Sequence, residues 1–293
     1  MNQPPIITRE IQPPPTRADD AHKGEVGRVA VIGGCDSTVT MIGAPALTAA
    51  GAFRSGAGLV QLIVPRSIQL AVTQLAPCAT SRTLSGDPDA LVAAVLGFGA
   101  DAVAFGVGLG DSLAQVALEE LLADFAGPVV IDADGLALLG GMRQARVRDP
   151  ERIVITPHPG EMRGLLKARS IDVILDRSAD SRKAAALAAA ESYGCTVLLK
   201  GRGTVVTDGT RLAVNQTGNS GMASGGTGDV LTGIVAALLA AKMQPLEAAI
   251  LAAHVHGLAG DFAAEEKGRI SLTATDVVES LAEAFQELEP QEG

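Results

Sequence analysis

The segment of this sequence best suited to chemistry is a glycine-rich stretch that precedes an apolar run. Residues 218–233 read GNSGMASGGTGDVLTG and contain six glycines and one acid, Asp229. Glycine lets the backbone adopt positive φ and approach a ligand closely. The first N–H groups of a helix over Val230–Ala241 would point at a negative charge. The segment is therefore typical of an anion site, such as one for phosphate.

Asp229 has two interpretations from this segment alone. As the N-cap of the following helix it would accept a backbone hydrogen bond, which is the commoner role of Asp after a glycine-rich loop. A carboxylate beside a phosphate is otherwise unfavourable, unless it accepts a proton from a hydroxyl that attacks the phosphate. On this segment alone, the helix cap is favoured over the general base.

Other polar and glycine residues follow the predicted strands. In an open parallel sheet the ligand lies at the carboxyl ends of the strands, so these residues are expected to converge at one edge. They are Gly33-Gly34, Gly106–Gly110, Asp132, Asp134, His158, Glu161 and Lys200–Thr204.

The acidic and histidine residues of this set each have an alternative. His158 lies between two prolines, which restrict the backbone, and this favours a binding group over a structural hydrogen bond. Asp132 and Asp134 could hold a metal through water, or Asp134 could cap a helix that begins at Gly135. Glu161 could have no role beyond balancing the positive N-terminal end of the next helix.

The remaining candidates are less specific. Lys200 and Arg202 could neutralise phosphate charge, or they are solvated residues of a turn. Gly106–Gly110 reads GVGLG and lacks the spacing of the dinucleotide fingerprint, so it indicates a tight corner or a close approach to the substrate. His254 and His256 face different sides of a helix, and only a packing role is predicted for them.

Composition excludes several classes of function. The net charge of −10 and the pI of about 4.9 argue against a nucleic-acid or anionic membrane partner. Aromatic residues make up 2% of the chain, too few for base stacking. The three cysteines, Cys35, Cys78 and Cys195, show no paired spacing, which indicates a reducing compartment. No run resembles a signal peptide or reaches the ~20 apolar residues of a membrane span, so a cytoplasmic protein is predicted.

The elements that would position these residues alternate along the chain. Short runs that are apolar at nearly every position predict strands buried on both faces, and Ala/Leu-rich stretches between them predict helices on both sides of a mostly parallel sheet. The predicted strands are Arg28–Ile32, Leu59–Val64, Ala102–Phe105, Val129–Asp132, Ile153–Thr156, Thr196–Leu199, Thr204–Thr207 and Arg211–Val214, the last two as a hairpin through Asp208-Gly209. The predicted helices are Ala44–Ser55, Asp89–Leu96, Leu113–Phe125, Gly160–Leu166, Ser181–Tyr193, Val230–Ala241, Pro245–Ala264 and Thr275–Glu287.

The domain organisation is predicted to be simple. Residues 1–22 are rich in proline and lack periodicity, which indicates an extended arm. Residues 23–289 are predicted to form a single domain. The Arg-rich segment Gly140–Asp149 is the nearest approach to a linker within it.

Taken in order, seven motifs closely resemble the ADP/ATP-dependent NAD(P)H-hydrate dehydratase family. The resemblance runs from about Lys23 to about Leu281 and implies a three-layer ribokinase-like α/β fold, with a mostly parallel central sheet and helices on both faces. The motifs are GRVAVIGG, GAPALTAAGAFRSGAGLV, GVGLG, VIDADGLALL, ITPHPGEM, LLKGRGTVV and NSGMASGGTGDVLTGIVAALLA.

The resemblance also implies roles for individual residues. Ala44, Gly108, His158 and Asp229 would contact the hydrated nicotinamide nucleotide, and Asp229 would be the catalytic base. Where the family often has Asn, this sequence has Ala137, which argues against a polar role there. The residues that would hold the adenine nucleotide are Lys200, Gly201, Arg202, Gly203, Thr204, Gly225, Gly226 and Gly228.

The activity implied by the resemblance is the dehydration of hydrated NADH and NADPH. ADP or ATP would phosphorylate the C6 hydroxyl, and phosphate would then leave. Mg²⁺ would bridge the phosphates largely through water, so no protein metal ligand is predicted. The resemblance further implies a homotetramer and a functional pairing with a separate NAD(P)H-hydrate epimerase, which the Pro-rich arm is too short to encode.

Two other functions compete with this one. A conventional small-molecule kinase of the same fold, acting on a sugar or vitamin precursor, would share the glycines and Asp229, although PHPGE together with KGRGT resembles the dehydratases more. A non-catalytic nucleotide-binding protein would have no use for a buried acid beside phosphate, so Asp229 argues against it.

Overall fold

The fold is described by a computed structural model for residues 5–142 and 147–289. The first four residues of the predicted arm lie outside the described residues, as do residues 143–146 of the segment Gly140–Asp149. None of the helices in the described ranges is long and apolar enough to cross a membrane.

Twelve strands are present in the described residues. Ten of them form one sheet, and β3 and β4 form a separate two-stranded ribbon. The strands are β1 Ile6–Ile7, β2 Arg28–Gly33, β3 Cys35–Asp36, β4 Thr40–Met41, β5 Leu59–Val64, β6 Thr80–Thr83, β7 Ala102–Val107, β8 Val129–Ile131, β9 Ile153–Ile155, β10 Thr196–Leu199, β11 Val205–Thr207 and β12 Arg211–Val214.

Ten α-helices accompany them in the same part of the chain. They are α1 Gly43–Arg54, α2 Gln69–Leu75, α3 Pro88–Phe98, α4 Gln115–Asp124, α5 Asp134–Gly141, α6 Pro159–Ala168, α7 Ala179–Tyr193, α8 Thr227–Ala240, α9 Pro245–Lys267 and α10 Ala274–Gln286.

The order of strands in the large sheet is β1-β12-β11-β10-β9-β8-β7-β2-β5-β6. All neighbours from β10 to β6 run parallel, and β11 pairs antiparallel with both β10 and β12. The predicted hairpin is therefore confirmed. Because β7, β8, β9 and β10 are adjacent, their carboxyl ends meet at one edge.

The core lies on both faces of the sheet. In β2, Val29 and Val31 belong to one apolar cluster, and Ala30 and Ile32 to the other, since successive side chains of a strand point to opposite faces. Helices α1, α8, α9 and α10 cover the first face, and α3 to α7 cover the second. The predicted three-layer α/β architecture is confirmed.

Helices α1 and α8 pack at close range through glycines. A Cβ on Gly51 would lie 2.5 Å from the carbonyl oxygen of Val230, and one on Gly233 would collide with the carbonyl of Thr48. This contact joins the start of α8, where the glycine-rich segment lies, to the helix that begins near Ala44.

Several strands and helices were not predicted from the sequence, including the ribbon strands β3 and β4. Ile6–Ile7, within the predicted arm, pair parallel with Arg211 and Leu212 as an edge strand. Strand β6 and helix α2 are also additional. Ile6 and Ile7 are 64% and 59% exposed and β6 is largely exposed, so these elements lack the continuous burial that makes a strand visible in sequence.

Candidate active site

The loop after β7 brings Gly108 against Ala44. Gly106, Gly108 and Gly110 all have positive φ, at 109°, 59° and 56°. A Cβ on Gly108 would lie 2.9 Å from the Cβ of Ala44 and 3.0 Å from that of Met41. The backbone of GVGLG therefore approaches the start of α1 as closely as glycine permits, and the two residues predicted to contact the substrate are neighbours.

Asp134 holds this loop in place. Its Oδ2 accepts a hydrogen bond from the Gly110 N–H at 2.7 Å. Asp134 is the first residue of α5, whose N-cap is Ala133 with φ 49° and ψ −124°. The alternative in which Asp134 caps the helix is therefore wrong.

Among residues 5–142 and 147–289, no group of three or more His, Cys, Asp or Glu could hold a metal ion.

Asp132, at the end of β8, joins two distant parts of the chain. It is 2% exposed. Its Oδ1 lies 2.7 Å from the Lys200 Nζ, and its Oδ2 accepts a hydrogen bond from the Thr232 Oγ1 at 2.7 Å. Both carboxylate oxygens therefore have a partner within the protein, as a buried charge requires.

His158 is the N-cap of α6. Its Nδ1 accepts hydrogen bonds from the backbone N–H groups of Gly160 and Glu161, at 2.9 and 3.2 Å. Glu161 completes a capping box, because its Oε2 accepts from the His158 N–H at 2.7 Å. The structural hydrogen bond considered as the alternative for His158 is thus present. Its Nε2 lies 3.4 Å from the Glu161 Oε1, so both ring nitrogens have partners on α6, although the side chain is 56% exposed.

The turn after β10 carries Lys200–Thr204. Gly201 and Gly203 have φ of 128° and 62°. The Lys200 N–H donates to the carbonyl of Pro157 at 2.8 Å, which places this turn beside the loop of His158. Arg202 is exposed, whereas Lys200 points inward with its side chain 19% exposed. The solvated-turn alternative therefore describes Arg202 but not Lys200.

A second arginine supports this turn. Arg182, on α7, is buried, and one of its terminal nitrogens, Nη2, donates to the carbonyls of Leu199 and Lys200 at 3.0 and 3.3 Å. Burial lowers the pKa of Arg182. The sequence analysis missed this residue, because nothing in the Ala-rich sequence of α7 distinguishes it from a surface arginine.

Residues 225–228, which we call the glycine cradle, lead into α8 and include its first two residues. Gly226 is the N-cap with φ 94°, and no side chain of the described residues caps the helix. Gly225 has open space around its Cα, and a Cβ on Gly228 would lie 3.4 Å from the Lys200 Nζ. The cradle therefore presents free helix N–H groups next to a buried ammonium, an arrangement that suits phosphate.

Asp229 is the third residue of α8, so the interpretation of Asp229 as its N-cap is wrong. Burial, and then the charge of Asp132, raise the pKa of Asp229 to about 7, against the opposing effect of Lys200. Burial lowers the pKa of Lys200, but the charges of Asp132, Glu161 and Asp229 outweigh it, so the net shift is upward. At neutral pH the site thus holds a charged lysine and a carboxyl group that can exchange a proton.

His256 has a contact that its predicted packing role did not include. Its Nε2 donates to the carbonyl of Thr227 at 2.8 Å, and burial lowers its pKa to about 4. Thr227 in turn donates from its Oγ1 to the carbonyls of Met222 and Ser224, each at 3.0 Å. A neutral imidazole therefore supports the first residue of α8, a role that only the packing of α9 on α8 shows.

The fold and the site together define a class of protein. The protein has a three-layer α/β fold, and its site combines a glycine cradle, a buried lysine and a carboxyl group of near-neutral pKa. Such a site is suited to moving a phosphoryl group onto a hydroxyl. The architecture is that of the ribokinase-like fold.

Comparison with known proteins identifies the family within this class. The sequence model of the NAD(P)H-hydrate dehydratase family matches residues 29–283. The chain belongs to the NAD(P)H-hydrate dehydratase family, as its motifs predict.

Individual relatives agree with this assignment. The chain is 33% identical to the ADP-dependent (S)-NAD(P)H-hydrate dehydratase of Cenarchaeum symbiosum over 94% of this chain and 95% of that one. It is 40% identical to the bifunctional NAD(P)H-hydrate repair enzyme Nnr of Pyrobaculum aerophilum over 91% of this chain and 52% of that enzyme. The chain thus spans about half the length of the bifunctional relatives that it matches.

Solved structures show the same fold. An ADP/ATP-dependent NAD(P)H-hydrate dehydratase of Bacillus subtilis, co-crystallised with ATP and Mg²⁺, superposes with a TM-score of 0.78 at 26% identity and covers 94% of each chain. A ribokinase of Thermotoga maritima superposes with a TM-score of 0.60 at 15% identity, over 89% of this chain and 99% of that one. The ribokinase shares the architecture alone.

Proposed function

We propose that this protein converts the hydrated forms of NADH and NADPH back to NADH and NADPH, with ADP or ATP as phosphoryl donor. The observation that carries the proposal is Asp229, which directly follows the glycine cradle on α8 and whose pKa is raised to about 7, mainly by burial and then by the charge of Asp132. Membership of the family supplies the substrate class. The reaction is a metabolite repair and the enzyme a carbon–oxygen lyase.

The chemistry follows from the poor leaving ability of hydroxide. Asp229 takes the proton from the C6 hydroxyl while the oxygen attacks the terminal phosphorus of the nucleotide, whose bond to the bridging oxygen breaks. ATP then leaves as ADP, or ADP as AMP. The C6–O bond next breaks with its electron pair on phosphate, the ring nitrogen supplies electrons, and loss of a proton from C5 restores the ring double bond.

The nucleotide would lie on the glycine cradle. The N–H groups of Gly225, Gly226 and Gly228 would hold the phosphate in transfer, with the Lys200 ammonium next to Gly228. The turn of Lys200–Thr204 would contact the rest of the nucleotide. The Mg²⁺ ion implied by the family resemblance would be held by the nucleotide phosphates and by water. When bound, that ion would neutralise phosphate charge.

The hydrated nicotinamide nucleotide would lie against the loop after β7. Gly108 packs against Ala44 and Met41 at the start of this loop, and His158, whose side chain is exposed, follows β9 at the same edge of the sheet. Asp229 would stand between the two ligands, where its carboxylate can reach the C6 hydroxyl.

The partners proposed for this chain follow from its relatives. The relative from Pyrobaculum aerophilum is a bifunctional repair enzyme of about twice this length, which supports a functional pairing of this protein with an NAD(P)H-hydrate epimerase. A homotetramer in the cytoplasm is proposed from the family resemblance.

The proposal is tested by following the absorbance at 340 nm of a mixture of hydrated NADH (NADHX), Mg²⁺ and the purified protein. One cuvette contains ADP, a second ATP, and a third no nucleotide. The expected result is a rise in absorbance that requires a nucleotide, which also identifies the donor. A flat trace in all three cuvettes, from protein whose folding is verified, would contradict the proposal.

A conventional kinase is distinguished by its product. Repair releases inorganic phosphate in a one-to-one ratio with NADH. A kinase instead leaves a stable phosphorylated compound and no free phosphate. Measuring both products in the same reaction separates the two activities.

A further inference from the structure

The proposed reaction gives Asp132 no part, yet this carboxylate joins three elements at the centre of the site. It follows β8, its Oδ1 contacts Lys200 after β10, and its Oδ2 contacts Thr232 on α8, each at 2.7 Å. Thr232 lies three residues beyond Asp229, so the contact fixes the turn of the helix that carries the proposed base.

A carboxylate that is only 2% exposed needs a reason to remain charged. Burial of an ion costs several kcal/mol unless good partners compensate for it. The ammonium of Lys200 and the hydroxyl of Thr232 are such partners. The lysine also lies 3.9 Å from Glu161 and beside Gly228, so its position is determined by contacts from several elements.

We propose that Asp132 is a positioning residue for the reaction: it holds the Lys200 ammonium beside the glycine cradle and ties it, through Thr232, to the helix that carries Asp229. This inference rests on the proposed function. Asp132 touches neither ligand in this scheme and acts through Lys200 and Asp229.

After burial, the charge of Asp132 is the next cause of the raised pKa of Asp229. The groups that act on the pKa of Asp229 are Asp132, which raises it, and Lys200, which lowers it. Glu161 on α6 contacts Lys200 but not the base, and His256 on α9 is neutral above its pKa of about 4. Without the charge of Asp132, the pKa of Asp229 falls, and Lys200 acts on Asp229 more strongly.

A double-mutant cycle tests whether Asp132 acts through Lys200. We expect D132N to lower kcat/KM by about 10–100-fold and K200M by at least as much. Because residues that act as a unit have non-additive effects, the two losses should not multiply in the double mutant. In the K200M background, D132N should then cost less than about 3-fold. Independent, multiplicative losses would overturn the proposal.

The pH dependence gives a readout that a purely structural role would not change. In D132N, the acid limb of kcat/KM should move to lower pH, because a neighbouring negative charge that raises the pKa of Asp229 is removed. Direct titration of the Asp229 carboxyl by ¹³C NMR, without ligands, should show a shift in the same direction. An unchanged Asp229 titration in folded D132N would overturn the proposal.

The matched control is D101N. Asp101 pairs with Lys242 at the same 2.7 Å distance, but it precedes β7 and lies at the opposite edge of the sheet. D101N should change neither the acid limb of kcat/KM nor the titration of Asp229. If D101N changes them as D132N does, the effect is not specific to Asp132 and the proposal fails.

Should D132N not fold, T232V removes only one of the two contacts. It should lower kcat about 3–10-fold in the wild-type background and have no effect in K200M. Equal losses in both backgrounds would contradict the proposal. If wild-type protein consumes no NADHX with either nucleotide, the proposed function fails, whereas the Asp229 titration in D132N still decides the role of Asp132.

Discussion

At the scale of single residues, the site depends on the Asp229 carboxyl group, whose burial disfavours its ionised form. A solvated aspartate has a pKa near 4, and burial together with Asp132 moves that of Asp229 to about 7. A base whose pKa lies near the working pH combines a usable ionised fraction with a useful affinity for the proton. The same shift makes the ionised folded protein less stable, which is typical of active sites.

The first prediction concerns D229N. The amide cannot take the proton from the hydroxyl, so kcat for NADHX should fall by about 10²–10⁴-fold. Nucleotide binding should remain, because the cradle N–H groups and Lys200 are unchanged. Turnover and nucleotide affinity, the latter by calorimetry, are the measurements. Turnover near the wild-type value would remove Asp229 from the mechanism.

The stability of D229N is the control for this variant. Because the folded-state pKa is raised, the folded protein holds a proton that the unfolded chain has lost between about pH 4 and pH 7. Wild-type stability therefore falls with pH across that window, by roughly 1–4 kcal/mol in total. D229N lacks this penalty, so its thermal midpoint should exceed that of the wild type above pH 7. A lower midpoint would mean that the lost activity reflects a damaged fold.

The second prediction is the pH profile of the wild-type enzyme. Because the base must be ionised to accept a proton, kcat/KM should rise with pH and level off above the pKa of Asp229, near 7. The rate should fall about tenfold per pH unit below that value. A flat profile between pH 5 and pH 8 would contradict the assignment.

At the scale of elements, the start of α8 determines how the phosphate would be bound. Gly226 ends the preceding loop with φ 94°, a conformation that glycine adopts without strain. The helix begins at once, and its first N–H groups are not capped by any side chain of the described residues. His158 caps α6 and Ser178 caps α7, whereas α1, α4 and α9, like α8, begin without a side-chain cap from the described part of the chain.

The third prediction compares two neighbouring glycines of the cradle. A Cβ at position 226 would require a strained positive φ and would lie 2.5 Å from the Leu47 side chain, whereas one at position 225 meets nothing within 4 Å. G226A should therefore lower the free energy of unfolding by about 1–3 kcal/mol and weaken nucleotide binding. G225A should change stability by less than about 0.5 kcal/mol. Denaturant unfolding of both variants is the measurement, and equal stability would contradict the backbone geometry.

At the scale of the whole molecule, the sheet order places the site far from one edge. The site lies where β7, β8, β9 and β10 end, and β11 and β12 separate it from β1. Strand β1 contributes two exposed residues and hydrogen bonds such as that from the Ile6 N–H to the carbonyl of Thr210 at 2.9 Å. The edge strand therefore adds local order without touching the site.

The fourth prediction is that deletion of residues 1–8 leaves the reaction intact. The loss of β1 should cost about 1 kcal/mol or less, since Ile6 and Ile7 are largely exposed. NADHX turnover should stay within about twofold of the full chain. A large loss of activity would show that the strand supports the site through the sheet.

The sequence by itself determined the fold class and most of its elements. Alternating apolar runs and Ala-rich stretches are local patterns, so strands such as Leu59–Val64 and helices such as α9 were predicted within a few residues. The glycine cradle was also recognisable, because only glycine permits such backbone geometry. Short, exposed elements such as β1 and β6 were missed, since their side chains carry no burial pattern.

The tertiary structure alone decided the electrostatics of the site. Asp132 is 68 residues from Lys200 and 100 from Thr232 in sequence, yet it contacts both. That Asp229 is not the N-cap follows from where α8 begins, and its raised pKa follows from burial and the charges around it; neither can be read from the glycine-rich segment. The physical reason is that pKa values depend on burial and on distances in space, which follow from the packing of the whole chain rather than from local sequence.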